Sequence, residues 1–159
     1  MEPQGRAYML SDQEGAALWF AGTLMVVKAT GEETGGHLTL MDQRTPPDYA
    51  VPLHVHHEDD EGWYVLEGDV TFFCGDAAFT AGPGSWVVAP RGLPHAFRVG
   101  PAGARLLQMA WPGRFADFVR AAGQPAPALT LPEPAPLDVE RLAALGREHG
   151  IDIIGPPPD

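Results

Sequence analysis

The stretch from Leu18 to Ala110 consists of short apolar runs, each four to eight residues long, separated by Gly, Pro and Asp. The runs are rich in β-branched and aromatic side chains, which is typical of β-strands. The separators have turn chemistry, as in the Gly75-Asp76 pair, which suits a two-residue hairpin. Close-set strands joined by tight turns predict an all-β antiparallel sandwich or barrel. The ten predicted strands are Leu18–Ala21, Thr23–Ala29, His37–Met41, Val51–His56, Glu61–Glu67, Asp69–Cys74, Ala77–Thr80, Trp86–Ala89, Pro94–Val99 and Ala104–Ala110.

The pattern changes after Trp111, where helical periodicity replaces alternation. The segment Arg114–Ala122 places Phe115 and Phe118 on one helical face. A second helix is predicted after Asp138, a good N-cap residue, and it ends before Gly150. We expect these C-terminal helices to pack on the outside of the barrel or on a partner subunit.

A Pro-rich segment, 123–136, joins the two helices, and the tail Gly155–Asp159 is predicted to continue no helix or strand ladder because it holds three prolines. No internal repeat is visible. The sequence predicts a single domain over residues 1–159, with the barrel at about 15–111 and a helical extension at about 112–159.

Charge and composition exclude several classes of partner. The formal net charge is −11, so no basic surface is expected for nucleic acid or for an anionic membrane. Cys74 is the single cysteine, which rules out an intrachain disulfide. The sequence shows no signal peptide and no apolar run long enough to span a bilayer, so we expect a cytoplasmic protein.

The richest source of chemistry is the segment from Pro52 to Trp63. His54 and His56 are two residues apart and therefore project from the same face of a strand. Glu61 opens the next strand, and a hairpin returns its carboxylate to the imidazoles. His95 follows 34 residues later. Three neutral imidazoles and one carboxylate suit one divalent transition metal ion, such as Fe, Ni, Mn, Co, Cu or Zn.

The neighbouring polar residues fit a different role. Strand parity turns His57 to the opposite face from His54 and His56. The run of carboxylates Glu58, Asp59 and Asp60 is more typical of a solvated turn than of a metal site.

These residues resemble the two motifs of the cupin family. The first motif, His-x-His with a Glu and a Gly beyond it, is matched by His54, His56, Glu61 and Gly68. The second is matched by Gly84, Pro90, Gly92 and His95. The sequence departs from the pattern at Val99, where the family has Asn, and at Asp48, where it has Gly; both positions lie outside the ligand set.

The resemblance implies an antiparallel jelly-roll barrel with a metal ion held inside one end by the four matched ligands. The layout is similar to single-barrel cupins of the quercetin 2,3-dioxygenase type, which share the lead-in from Pro52, the Tyr64–Gly68 hairpin and the Arg91–Phe97 ending. Single-barrel cupins usually pair, so the resemblance also implies a homodimer.

Residues that share parity with the ligands are candidates for a substrate pocket. Trp63 and Val65 share the parity of Glu61, and Phe97 and Val99 share that of His95. Phe72 and Met109 are further candidates, although core filling is the better interpretation for Phe72. An aromatic pocket would suit an aromatic ligand.

A divalent ion with one carboxylate and three neutral imidazoles has a net charge of 2 − 1 = +1, which favours a monoanionic oxygen ligand such as an enolate or phenolate. The ligand strands carry no Lys or Arg on the ligand face, which disfavours a phosphorylated sugar. By resemblance, we expect a metal-dependent dioxygenase that uses O2 and a small-molecule substrate, with Glu61 as ligand and proton acceptor. The alternatives are a metal-dependent cyclase, isomerase or lyase of secondary metabolism, and a non-catalytic small-molecule-binding protein.

Overall fold

The computed structural model describes residues 5–159, and these residues form two antiparallel β-sheets with three helices. The strands are β1 (Ala16–Phe20), β2 (Thr23–Ala29), β3 (Thr39–Thr45), β4 (Leu53–His56), β5 (Asp60–Glu67), β6 (Val70–Cys74), β7 (Ala77–Ala81), β8 (Trp86–Ala89), β9 (His95–Val99), β10 (Ala104–Trp111), β11 (Gln124–Pro125) and β12 (Ile151–Gly155). The helices are α1 (Gly31–Thr34), α2 (Phe115–Ala122) and α3 (Val139–Glu148).

The strand order shows how the two sheets form the barrel. One sheet has seven strands in the order β11-β1-β2-β3-β10-β5-β8, and the other has five in the order β12-β4-β9-β6-β7. Large side chains from both sheets, such as Trp63 and Phe72, meet in one buried cluster between them. The all-β antiparallel jelly-roll barrel predicted from the sequence is confirmed.

The strands form where apolar and polar residues alternate. In β10, the inward residues Ala104, Leu106, Gln108 and Ala110 are buried and the residues between them are half-exposed. One predicted strand is shifted along the chain: His37–Met41 was predicted, and the strand runs over Thr39–Thr45, because Thr34 holds Leu38 in the turn that follows α1.

The helices α2 and α3 cover the end of the barrel near His56. Phe115 and Phe118 of α2 are buried in a second apolar cluster with Phe20 and Met25, and Leu142 of α3 packs against it. The apolar face of α3 therefore contacts its own barrel. The Asp138 side chain caps this helix by accepting a hydrogen bond from the backbone N–H of Arg141. Neither α2 nor α3, nor any other helix within residues 5–159, is long and apolar enough to cross a membrane.

The strand β12 was not predicted, and Gly155 was wrongly assigned to an unpaired tail. In the structure, β12 pairs antiparallel with β4, with Ile151 opposite His56 and Ile153 opposite His54. By contrast, β4 pairs with β9 at a single position, His54 opposite His95. The C-terminal strand therefore provides most of the strand pairing of β4.

Candidate metal centre

Four side chains from three strands converge at one end of the barrel. His54 and His56 project from the same face of β4, His95 is the first residue of β9, and Glu61 lies near the start of β5. One donor atom from each of the four residues lies within 4.8 Å of the donor atoms of the others. The predicted ligand residues are thus brought together, and His56, Glu61 and His95 are buried.

The histidine rings are oriented by the backbone. The Nδ1 atom of His54 lies 2.9 Å from the carbonyl oxygen of Pro52, and Nδ1 of His95 lies 2.9 Å from that of Leu93. A carbonyl oxygen only accepts hydrogen bonds, so each Nδ1 carries the proton. In the neutral rings the lone pair is then on Nε2, as in metal-binding histidines held by a carbonyl.

The contacts of Glu61 join the cluster. Its Oε2 atom lies 2.9 Å from Nε2 of His95 and 3.0 Å from Nε2 of His56. The contact with His56 lacks hydrogen-bond geometry, so this buried nitrogen has no hydrogen-bond partner among the described residues. Such a nitrogen is costly to bury unless a donor or a cation approaches it. The donor set and this nitrogen fit a bound transition metal ion.

The electrostatics of the cluster favour a cation. Burial lowers the pKa of His54 to about 3, which keeps this imidazole neutral. Burial would raise the pKa of Glu61, but the imidazoles of His56 and His95 hold it well below its usual range. Burial would likewise lower the pKa of His95, but its hydrogen bond with Glu61 raises it. The cluster therefore attracts one positive charge beside Glu61, which a metal ion can supply.

A fifth polar residue, Gln108, contacts the cluster and was missed by the sequence analysis. Its Nε2 atom donates a hydrogen bond to Oε1 of Glu61 at 2.9 Å. Gln108 faces inward between Leu106 and Ala110 on β10. Its position could have been found from the sequence, because it is a polar residue within an inward-facing apolar alternation.

An apolar cavity opens beside three of the four cluster residues, His54, His56 and Glu61. Its wall is formed by both the barrel and the C-terminal segment, and no Lys or Arg side chain lines it. The polar groups facing it beyond the cluster include Gln43 and Gln108. The apolar lining residues include Met25, Phe97, Phe115, Phe118, Leu142, Ile151 and Ile153.

The structure places one of the predicted pocket residues, Phe97, in the wall of this cavity. Four others belong to the barrel core and do not line it: Trp63, Val65, Phe72 and Val99. Strand parity gives the correct face for these residues but not their depth along the barrel. They belong to the apolar cluster that contains no residue of α2, and the ring of Trp63 packs edge-on at 5.6 Å from that of His95.

Met109 was also predicted to line the pocket, but the structure places it elsewhere for a different reason. Its neighbour Gln108 is buried and faces inward, so Met109 projects from the outer face of the seven-stranded sheet. The residues of α2, α3 and β12 that line the cavity had no sequence signal for this location. Their contact with the ligand strands depends on packing between distant parts of the chain.

A solvated turn was expected for the carboxylates that follow β4. Two of them are instead bound to other groups of the protein. Asp59 is buried and accepts hydrogen bonds from the backbone N–H groups of Gly113 and Arg114. Asp60 binds Arg91 through both carboxylate oxygens. His57 points away from the cluster, and its Nε2 atom lies 2.8 Å from the carboxylate of Asp152 on β12.

Comparison with known proteins finds one family that matches part of the barrel. Residues 41–108 match the family described as Cupin domain. The Quercetin 2,3-dioxygenase of Bacillus subtilis (strain 168) is 26% identical over 136 residues, which make up 85% of this chain. The chain spans about 40% of the length of that relative.

Solved structures with the same fold include several cupins. An RmlC-like cupin from Shewanella frigidimarina NCIMB 400 gives a TM-score of 0.59 at 18% identity, over 71% of this chain and 97% of that one. KdgF from Halomonas sp. gives a TM-score of 0.52 at 18% identity, over 57% of this chain and 79% of that one. The cupin domain of Schizosaccharomyces pombe Cnp3 gives 0.52 at 14% identity, over 64% and 73%. At these identities the likeness concerns the fold alone.

Proposed function

Because the chain contains a cupin domain, in a single barrel similar to the quercetinase-like cupins, we propose that it is a metal-dependent dioxygenase. Its substrate is an enolisable or phenolic aromatic small molecule. The observation that carries the proposal is the convergence of four side chains of metal-binding type, three of which line an apolar cavity. The similarity to a quercetin 2,3-dioxygenase supports the same class of reaction.

The ion would be held by Nε2 of His54, His56 and His95 and by the carboxylate of Glu61. When bound, a divalent ion in this set supplies a net charge of +1, which stabilises a deprotonated oxygen of the substrate. Glu61 also accepts the substrate proton, since its carboxylate borders the cavity. Dioxygen would be the oxidant of the deprotonated substrate, and both of its oxygen atoms would enter the product.

The cavity wall supports the choice of substrate. An aromatic side chain, Phe97, and two further rings from α2 offer apolar contact to a planar molecule. The nearest cations are engaged elsewhere: Arg91 binds Asp60, and Arg98 donates to the carbonyl oxygen of Pro158. A phosphorylated ligand would therefore find no cationic side chain in the lining.

The test is oxygen uptake by protein of confirmed metal content, on a panel of flavonols and related enolisable aromatics. We expect uptake by the wild-type protein and by His57→Ala, a histidine variant outside the cluster, but none by Glu61→Ala. A metal-loaded wild-type protein that consumes no oxygen on any panel member would refute the dioxygenase. Conversion of a panel member without oxygen uptake would favour the cyclase, isomerase or lyase alternative.

We also propose that the chain forms a homodimer through the outer face of the seven-stranded sheet. This face carries Tyr64, Trp86 and Val88, which are 39%, 48% and 36% exposed on adjacent strands. Trp86 stacks on Trp111 of β10 with ring centroids 6.2 Å apart, which extends the apolar surface. A contiguous apolar face of this kind suits a self-complementary interface.

Sedimentation of the wild-type protein and of Trp86→Lys tests the dimer. We expect a dimer for the wild type and a monomer for the variant. Phe79→Lys is the matched control, because Phe79 is equally exposed at 48% but lies on β7 of the other sheet. A wild-type monomer, or a dimer lost only in the Phe79 variant, would refute this interface.

A further inference from the structure

The side-chain amide of Gln108 has one end engaged and one end free. Gln108 is 1% exposed, and its Nε2 atom donates to Oε1 of Glu61 at 2.9 Å. A carboxylate only accepts hydrogen bonds, so the amide nitrogen must face Glu61 and the amide oxygen must face away from it. The orientation of the amide is therefore fixed by its partner.

The amide oxygen of Gln108 is buried and accepts no hydrogen bond from any described residue. An unpaired buried amide oxygen costs free energy, and in native proteins it is rarely left without a donor. Gln108 lines the same cavity as Glu61 and Phe97. A ligand that packs against this wall of the cavity and reaches the amide oxygen would supply the missing donor.

We propose that the carboxamide oxygen of Gln108 accepts a hydrogen bond from a hydroxyl or N–H group of the substrate, adjacent to the oxygen that binds the metal ion. The proposal rests on the metal centre proposed above and narrows the substrate to molecules with a donor next to the acidic oxygen, such as vicinal aromatic diols or enediols. Gln108 is then a specificity-determining residue: one end of its amide recognises the donor, and the other end positions Glu61.

A second amide in the cavity allows an internal comparison. Gln43 is also buried and lines the cavity, but its Nε2 atom contacts Oγ1 of Thr23 at 3.5 Å and not Glu61. The same substitution at the two positions removes one buried amide from the same cavity in each case. Comparing the two variants therefore separates two effects. One is the loss of the Glu61 contact and of the free amide oxygen, and the other is the general effect of a more apolar cavity wall.

The experiment measures the binding of catechol and of 2-fluorophenol to the Co2+-loaded protein, followed by the visible spectrum of the cobalt ion. The two probes have similar shapes, and only catechol has a second hydroxyl donor. In wild-type protein we expect catechol to bind more tightly. In Gln108→Met we expect catechol affinity to fall about 5-fold relative to 2-fluorophenol, as for the loss of one neutral hydrogen bond. In Gln43→Met we expect the wild-type ratio.

Three results would overturn the proposal. If Gln108→Met still prefers catechol over 2-fluorophenol, the preference would come from chelation of the cobalt ion by both hydroxyls. A preference lost in Gln43→Met instead would place the donor at Gln43. Loss of cobalt from both Gln108→Met and Gln108→Leu would assign the amide to the metal site alone. Wild-type protein that binds no cobalt would refute the metal centre itself, which is a separate outcome.

Discussion

Glu61 is the residue on which the candidate centre depends, because its two carboxylate oxygens have different partners. Oε2 faces the imidazoles of His56 and His95, whereas Oε1 accepts a hydrogen bond from Gln108. The negative charge of Glu61 is the only one in the four-residue cluster, so it sets the affinity of the cluster for a cation. Removing that charge while keeping the shape of the side chain is therefore the most direct test.

In Glu61→Gln we expect the affinity for Co2+ or Ni2+ to fall by more than the roughly 10- to 100-fold typical of losing a residue that only orients a ligand, because the carboxylate that would itself bind the ion is lost. Competition with a chromogenic chelator measures the affinity. His57→Ala is the matched control: His57 is adjacent to His56 in sequence but binds Asp152. Equal metal affinities in the wild type and Glu61→Gln would show that the cluster does not bind the ion.

Asp60, next to Glu61, gives a pH-dependent prediction. Hydrogen bonds from Arg91 lower the pKa of Asp60 below its ordinary value of 3.8. A carboxylate with a lowered folded-state pKa stabilises the fold above its unfolded-state pKa, and this stabilisation is lost as the pH falls through the folded-state value. Because the pair is partly exposed, we expect Asp60→Asn to cost about 0.5–1 kcal/mol at neutral pH.

Urea unfolding at a series of pH values measures this difference. The gap between the wild type and Asp60→Asn should shrink as the pH falls below 3.8. Asp76→Asn, which changes an exposed turn aspartate, controls for the general effect of one charge. A gap that grows as the pH falls would contradict the prediction.

At the scale of elements, β12 is a strand that could not be predicted from the sequence. All ten predicted strands overlap an observed strand because alternation and turn residues are local signals. The convergence of the four cluster residues was also predictable, since their spacing is carried by two motifs. β12 was missed because Ile151 pairs with a strand far earlier in the chain, and no local pattern encodes that pairing. The lining by α2 and α3 was missed for the same reason.

Removing β12 should weaken the metal centre although it contributes no ligand. A chain that ends at Gly150 loses the strand opposite His54 and His56 and the apolar contacts of Ile151 and Ile153. We expect metal affinity to fall about 10- to 100-fold, by analogy with the loss of outer-shell support. The burial of Ile151 and the partial burial of Ile153 also predict a loss of stability of about 2–4 kcal/mol.

A chain that ends at Gly155 is the matched control, because it keeps β12 and lacks only the last four residues. Metal affinities and urea midpoints of the two shortened chains are compared with those of the full chain. Unchanged metal affinity in the shorter variant would show that β4 holds its ligands without β12.

At the scale of the whole molecule, the four polar residues lie between two apolar clusters. The ring of Trp63 in the barrel cluster packs on His95, and Phe115 of the second cluster lies 5.3 Å from His56 between ring centroids. The four-residue cluster thus connects the barrel with the C-terminal helices. A ligand that binds this arrangement and not the unfolded chain must stabilise both parts together.

Metal loading should therefore raise the melting temperature of the entire molecule. At a free metal concentration about 100 times the Kd, the expected gain is about 2.7 kcal/mol, or roughly 5–10 °C for a chain of this size. Calorimetry with and without the ion measures the shift, and a chelator should reverse it. Glu61→Gln should show a much smaller shift, and an equal shift in both proteins would place the bound ion elsewhere.

The pairing of β4 with β12 also has a kinetic consequence. His57 and Asp152, which meet at the end of this pair, are 95 residues apart in the sequence. Closing so long a loop adds little to the equilibrium cost but delays the contact relative to the local hairpins. We expect β12 to dock late in folding and to detach before the rest of the barrel opens. Because β12 is also a wall of the cavity, the rate at which its amide protons exchange with solvent should report the rate at which the cavity opens to ligands.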